Sequence, residues 1–169
     1  MTMTLEAFDA LSTTEAREAM QACCGSQRWC DAMINHRPFS ELSIVHQRAD
    51  QVFGTLRESD WLEAFAAHPK LGDLQSLKMK YAGNAQWSGG EQAGVTEADE
   101  SVLEDLAVAN DEYFGKFGFI FILCASGKSA DQMLAAIQTR LPNQRDTEIE
   151  IAAAEQTKIT HLRIDKLFK

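Results

Sequence analysis

The sequence predicts an all-α protein, a single-domain helical bundle of about seven to nine helices occupying residues 1–169. Three observations carry that expectation. Helix N-cap signals recur along the chain. Apolar residues repeat at three- and four-residue spacing behind most of them. Only one stretch reads as a strand, and it has no evident partner. At 169 residues the chain is long enough to bury a core without disulfide or metal staples.

Ser12 with Glu15 is a capping-box pair that opens a first helix, which Gly25 is expected to end. After Ser26, the residues Trp29, Met33 and Ile34 form a short apolar face. Ile44, Val45, Val52, Phe53 and Leu56 recur at near-helical spacing before Ser59. Asp60 with Glu63 resembles another capping box, opening the helix Trp61-Leu62-Glu63-Ala64-Phe65-Ala66-Ala67. Thr96 with Asp99 precedes a strong helical pattern through Val102, Leu103, Leu106, Ala109, Asn110 and Tyr113. Ser129 with Gln132 opens a helix with Met133, Leu134 and Ile137 on its buried side, and Leu141-Pro142-Asn143 breaks it. From about Thr147 the last helix places Ile149, Ala152, Ala153, Gln156, Ile159 and Leu162 on one face.

Two stretches depart from a plain bundle. Residues 80–94 form a loop rich in glycine and polar groups, anchored by Tyr81 and Trp87, and a loop of that length points to function. Phe117-Gly118-Phe119-Ile120-Phe121-Ile122-Leu123-Cys124 reads equally as a strand or a wholly buried helix. Gly118 and Ala125-Ser126-Gly127 would let backbone come close to another group.

Composition excludes several classes. A net charge of −9 with no basic stripe argues against nucleic acid and against an anionic membrane surface. Cys23, Cys24, Cys30 and Cys124 match no zinc or redox spacing, and reduced thiols fit best, with Cys124 in the core. His36, His46, His68 and His161 are scattered, so no metal site is expected. With no signal-peptide pattern and no transmembrane run, a cytoplasmic protein is expected.

The chemistry gathers at His68-Pro69-Lys70-Leu71-Gly72-Asp73. A helix carries His68 to its end and Pro69 stops it, since the residue before proline is pushed out of helical geometry. An imidazole held at such a break suits proton transfer near neutral pH. The competing reading is a helix C-cap whose cation the helix dipole favours.

That box stands in order with Ser88-Gly89-Gly90-Glu91-Gln92-Ala93-Gly94, Phe117-Gly118-Phe119-Ile120-Phe121-Ile122 and Thr157-Lys158-Ile159-Thr160-His161-Leu162-Arg163-Ile164. Together they resemble the OHCU (2-oxo-4-hydroxy-4-carboxy-5-ureidoimidazoline) decarboxylase family over nearly the whole chain. The resemblance implies decarboxylation of that imidazoline to (S)-allantoin, the last step from urate, in purine degradation. It implies His68 as catalytic proton donor, with Glu91 and Arg163 as its catalytic companions. Pro69, Ser88 and Gln92 would bind substrate, while Phe119, Ile120, Phe121, Ile122 and Leu123 would supply an apolar wall and backbone contacts. Lys70 and Asp73 are read first as fixing the turn. Ile120 stands where many members have proline.

No cofactor is expected, because the C=N bond beside the substrate carboxylate can itself receive the electrons. The expected partner is the small-molecule substrate, and the family resemblance implies a homodimer. Two rivals remain: a helical interaction module, which needs an exposed apolar groove, and a ring hydrolase, which lacks a metal or Ser-His-Asp pattern here.

Overall fold

The computed structural model describes residues 1–69 and 97–169, and all eight elements among the described residues are helices. They are α1 (Leu5–Asp9), α2 (Thr13–Gln21), α3 (Gln27–Asn35), α4 (Leu42–Phe53), α5 (Glu58–Ala66), α6 (Glu97–Phe117), α7 (Ala130–Arg140) and α8 (Arg145–Leu167). The chain divides into two compact units, one of Met1–His68 with Ile149–Lys169, the other of Pro69–Glu148. No described helix is long and apolar enough to cross a membrane.

The first unit packs α1 to α5 around most of α8. Phe8, Met20, Trp29, Met33, Val45, Phe53, Ala64 and Ile164 are in its core. Trp29 stacks on Phe53 at 5.5 Å and Phe53 on Trp61 at 5.3 Å, which ties α3, α4 and α5 together. Met3 bridges the chain end, its amide donating to the Leu167 carbonyl at 2.8 Å. Cys23, Cys24 and Cys30 are buried free thiols.

Several local signals act as read. Ser12 closes a capping box with Glu15, the Ser12 amide donating to the carboxylate at 3.0 Å. Ser129 forms a capping box with Gln132, and Ser26, which the sequence reading did not name as a cap, caps α3 through the Trp29 amide. Leu103, Leu106, Ala109 and Tyr113 are buried on α6.

Others are corrected. Asp60 is the third residue of α5 rather than its cap, and it accepts from the Arg57 amide at 2.9 Å. Glu63 reaches outward instead, accepting from the Gln27 amide at 2.5 Å. Gly25 does not end α2, which stops at Gln21 with Ala22 as its cap. A Cβ on Gly25 would collide with the Cβ of Ala67, at the end of the helix that carries His68. Gly25→Ala is therefore expected to lose about 1–3 kcal/mol by overpacking. The check is the urea midpoint, and an unchanged value would refute the close approach.

The last helix is also rotated from the expected stripe. Its buried line is Glu148, Ala152, Gln156, Thr160, Ile164 and Leu167, while Leu162 is 40% exposed. Ala152 and Gln156 belong to the expected stripe, whereas Glu148 and Thr160 are buried polar residues that a search for apolar spacing cannot register. The scattered histidines also partly converge. His46 on α4 and His161 on α8 meet Nδ1 to Nδ1 at 2.6 Å, and each Nε2 lies 2.7 Å from a carboxylate, Asp165 and Asp50 respectively. This clasp joins α4 to the helix bearing Arg163.

In the second unit α6 packs on α7, and Leu103, Tyr113, Phe117, Met133 and Ile137 are buried. The Phe119–Leu123 stretch is neither strand nor helix but irregular chain. Gly118 at φ +80° and Gly127 at φ +75° bound the segment, a region that favours glycine. Among the described residues, a Cβ on either glycine would meet nothing within 4 Å. Cys124 is half-buried rather than in the core.

Candidate active site

In the first unit α5 ends at Ala66, capped by Ala67, and the His68 amide donates to the Phe65 carbonyl at 3.1 Å. His68 thus sits just past the helix, half-buried. Its Nε2 lies 2.5 Å from Oε1 of Gln156 on α8. Burial pushes its titration below the usual histidine value, the hydrogen bond to Gln156 opposes that shift, and the nearby Arg163 cation adds to it. The ring is therefore uncharged at neutral pH. A C-cap histidine held by the helix dipole would be shifted the other way.

Arg163 is half-buried on the same face of α8 as Gln156 and Thr160, which lie seven and three residues before it. No carboxylate among the described residues forms an ion pair with it. It borders a cavity of about 480 Å³ whose wall includes Leu11, Ala19, Ala22, Cys23 and Leu167, but not His68. Burial pushes the Cys23 thiol up to about 12 and the Cys24 thiol up to about 11, even though Arg163 pulls both down. Those thiols keep their protons and do not neutralise Arg163. The result is a proton-carrying ring beside a guanidinium whose fork is available to an anion.

In the second unit, Phe119 and Ile122 are buried while Ile120, Phe121 and Leu123 are half-buried. Arg140 at the end of α7 holds this irregular segment. Its Nη1 donates to the Ile122 carbonyl at 2.7 Å, and its guanidinium lies 4.4 Å from the Phe121 ring centroid. Nε donates to Glu148 at 2.7 Å, and Tyr113 donates its hydroxyl to the same carboxylate at 2.7 Å. Asn143 donates to the other oxygen at 3.3 Å. Burial, reinforced by Glu148, raises the Tyr113 hydroxyl far above its ordinary range, so it remains a donor.

Of the residues expected in the site, His68 and Arg163 lie together in the first unit. Pro69 is exposed, and Phe119 to Leu123 lie in the second. Ser88, Glu91 and Gln92, with Lys70 and Asp73, lie outside the described residues. Sequence reasoning gave no role to Gln156, Thr160, Arg140 or Glu148. Arg140 and Glu148 flank the Leu141-Pro142-Asn143 break, and opposite charges across a helix-ending turn were the available signal.

The family model described as OHCU decarboxylase matches residues 9–165, running through both units. The chain is 40% identical over 149 residues to an Arabidopsis thaliana protein named uric acid degradation bifunctional protein TTL, covering 88% of this chain and 46% of that one. It thus spans about half the length of that curated relative. It is 28% identical to a Xenopus laevis protein named 2-oxo-4-hydroxy-4-carboxy-5-ureidoimidazoline decarboxylase, over 81% of this chain and 78% of that one. A crystal structure of OHCU decarboxylase in the presence of (S)-allantoin superposes with a TM-score of 0.72 and 37% identity, covering 90% of this chain and 97% of that chain.

Proposed function

The chain belongs to the OHCU decarboxylase family, and from that premise we propose that it is a carboxy-lyase converting 2-oxo-4-hydroxy-4-carboxy-5-ureidoimidazoline to (S)-allantoin and carbon dioxide. The observation that carries the reading is the pairing within one unit of an uncharged, half-buried His68 with an Arg163 that has no carboxylate partner among the described residues. The reaction needs these two groups. Its substrate is an anion, which a guanidinium fork can hold by its carboxylate. When carbon dioxide leaves, its electron pair passes into the ring and onto the adjacent C=N nitrogen. A proton must then reach one face of a ring carbon, and stereospecific delivery gives the (S) product.

Because the substrate contains its own electron sink, no cofactor is required. Glu91, with Ser88 and Gln92, is assigned to hydrogen-bond the ureido and ring groups, and Pro69 with Phe119 to Leu123 to form the dry wall of the site. We further propose that the chain acts as one cytoplasmic domain, and the family resemblance implies a homodimer.

The test uses substrate generated from urate by prior oxidation and ring hydrolysis, with protein exhaustively dialysed against chelator. Circular dichroism should show optically active allantoin accumulating much faster than in the protein-free control. A racemic product or an unchanged rate would sink the assignment. Activity that returned only on adding a divalent metal would remove cofactor independence.

A further inference from the structure

Gln156 is 0% exposed, a polar side chain on a buried line of α8 where a leucine would otherwise pack. Its hydrogen bonds can be ordered from their far end. A backbone carbonyl only accepts, so the Cys23 carbonyl takes the single hydroxyl proton of Thr160, at 3.1 Å. Cys24, beside that hydroxyl, keeps its own proton because burial raises it to about 11, and so offers no thiolate to turn the hydroxyl round. Thr160 Oγ1 is then an acceptor toward Gln156 at 3.1 Å, which places the amide nitrogen there. The amide oxygen is left facing His68 at 2.5 Å, and an oxygen without a proton can only accept. Nε2 of His68 therefore carries the hydrogen.

We propose that Gln156, oriented by Thr160, is a positioning residue that locks His68 in the Nε2–H tautomer and makes Nδ1 the nitrogen that exchanges a proton with the substrate. Among the described residues, the lone pair on Nδ1 is the ring position that no hydrogen bond engages. The ring also stays uncharged at neutral pH because burial, and then Arg163, outweigh the Gln156 bond. The substrate in this inference rests on the decarboxylase reading; the tautomer does not.

Long-range proton–nitrogen NMR of protein labelled with nitrogen-15 histidine tests the lock directly, with the His68 signals identified by their loss in His68→Asn. Above the titration of the ring, the native protein should show a pyrrole-like Nε2 and a pyridine-like Nδ1. Gln156→Leu should give averaged nitrogens from mixed tautomers. Should that variant not fold, Thr160→Val frees the amide to turn and should also mix the tautomers. A pyrrole-like Nδ1 in the native protein, or an unmixed Nε2–H pattern in the folded variant, overturns the proposal.

Kinetics supply the second arm. Gln156→Leu should lower kcat roughly tenfold or more with KM changed by no more than about twofold, since a misplaced proton carrier affects the chemical step rather than binding. In a His68→Asn background the same substitution should cost nothing further, and an additive loss overturns the positioning role. A locked tautomer in a protein that does not decarboxylate would remove the assigned function and the Nδ1 exchange with this substrate, and leave the lock standing. Decarboxylation with the opposite tautomer would do the reverse.

Discussion

A folded His68→Asn protein is expected to decarboxylate at least about a hundredfold more slowly than the native one, the usual contribution of a positioned acid or base. Asparagine keeps a short polar side chain just beyond α5, and Ala67, not His68, is the cap residue, so the helix end should survive. The pH profile sharpens the test. Burial and Arg163 hold the ring uncharged at neutral pH, so it acts first as a base, taking the proton of the substrate's 4-hydroxyl and returning it to carbon, and a ring already protonated from solvent cannot do so. The rate, as kcat/KM, should then fall as pH drops through a limb lying below the ordinary histidine value of 6.5. That limb should vanish in the Asn variant. Near-native turnover in a folded His68→Asn protein would defeat the mechanism.

Glu148→Ala is expected to produce the largest loss of stability, about 3–5 kcal/mol, because it leaves a buried guanidinium without its anion. Glu148 is 0% and Arg140 7% exposed, so water cannot replace the lost partner. Tyr113 and Asn143 lose their acceptor at the same time. The urea midpoint measures the effect, and Arg140→Met added to Glu148→Ala should recover part of it by removing the stranded charge. A loss below about 1 kcal/mol would place this network with exposed pairs, which contribute little.

The helix starts at Ser12 and Ser129 were legible because a capping bond joins residues three apart, and both partners stand in one short window of sequence. Tyr113 and Leu106 were legible as core for a similar reason, since spacing on one helix decides which side they share. The failures have a common form. Gly25 was read as a helix terminator, yet its small size serves the approach of Ala67, forty-two residues away. Phe119 to Leu123 offered β-branched and aromatic residues without a partner strand, and a buried arginine from α7 took up one of its carbonyls instead. The stripe on α8 was misjudged because Glu148 and Thr160 look like surface residues until their partners are seen.

The sequence by itself determined the helical class, most helix starts, the family, and the candidacy of His68 and Arg163, all of which depend on neighbours along the chain or on whole motifs. Only the tertiary structure decided that Gln156 faces His68 from eighty-eight positions away, that His46 meets His161 from one hundred and fifteen, and that Arg140 takes the Ile122 carbonyl. The reason is physical. A helix cap or an apolar face is specified by local geometry. A buried polar group must find a donor or acceptor, but nothing in its own neighbourhood says which distant residue will supply it.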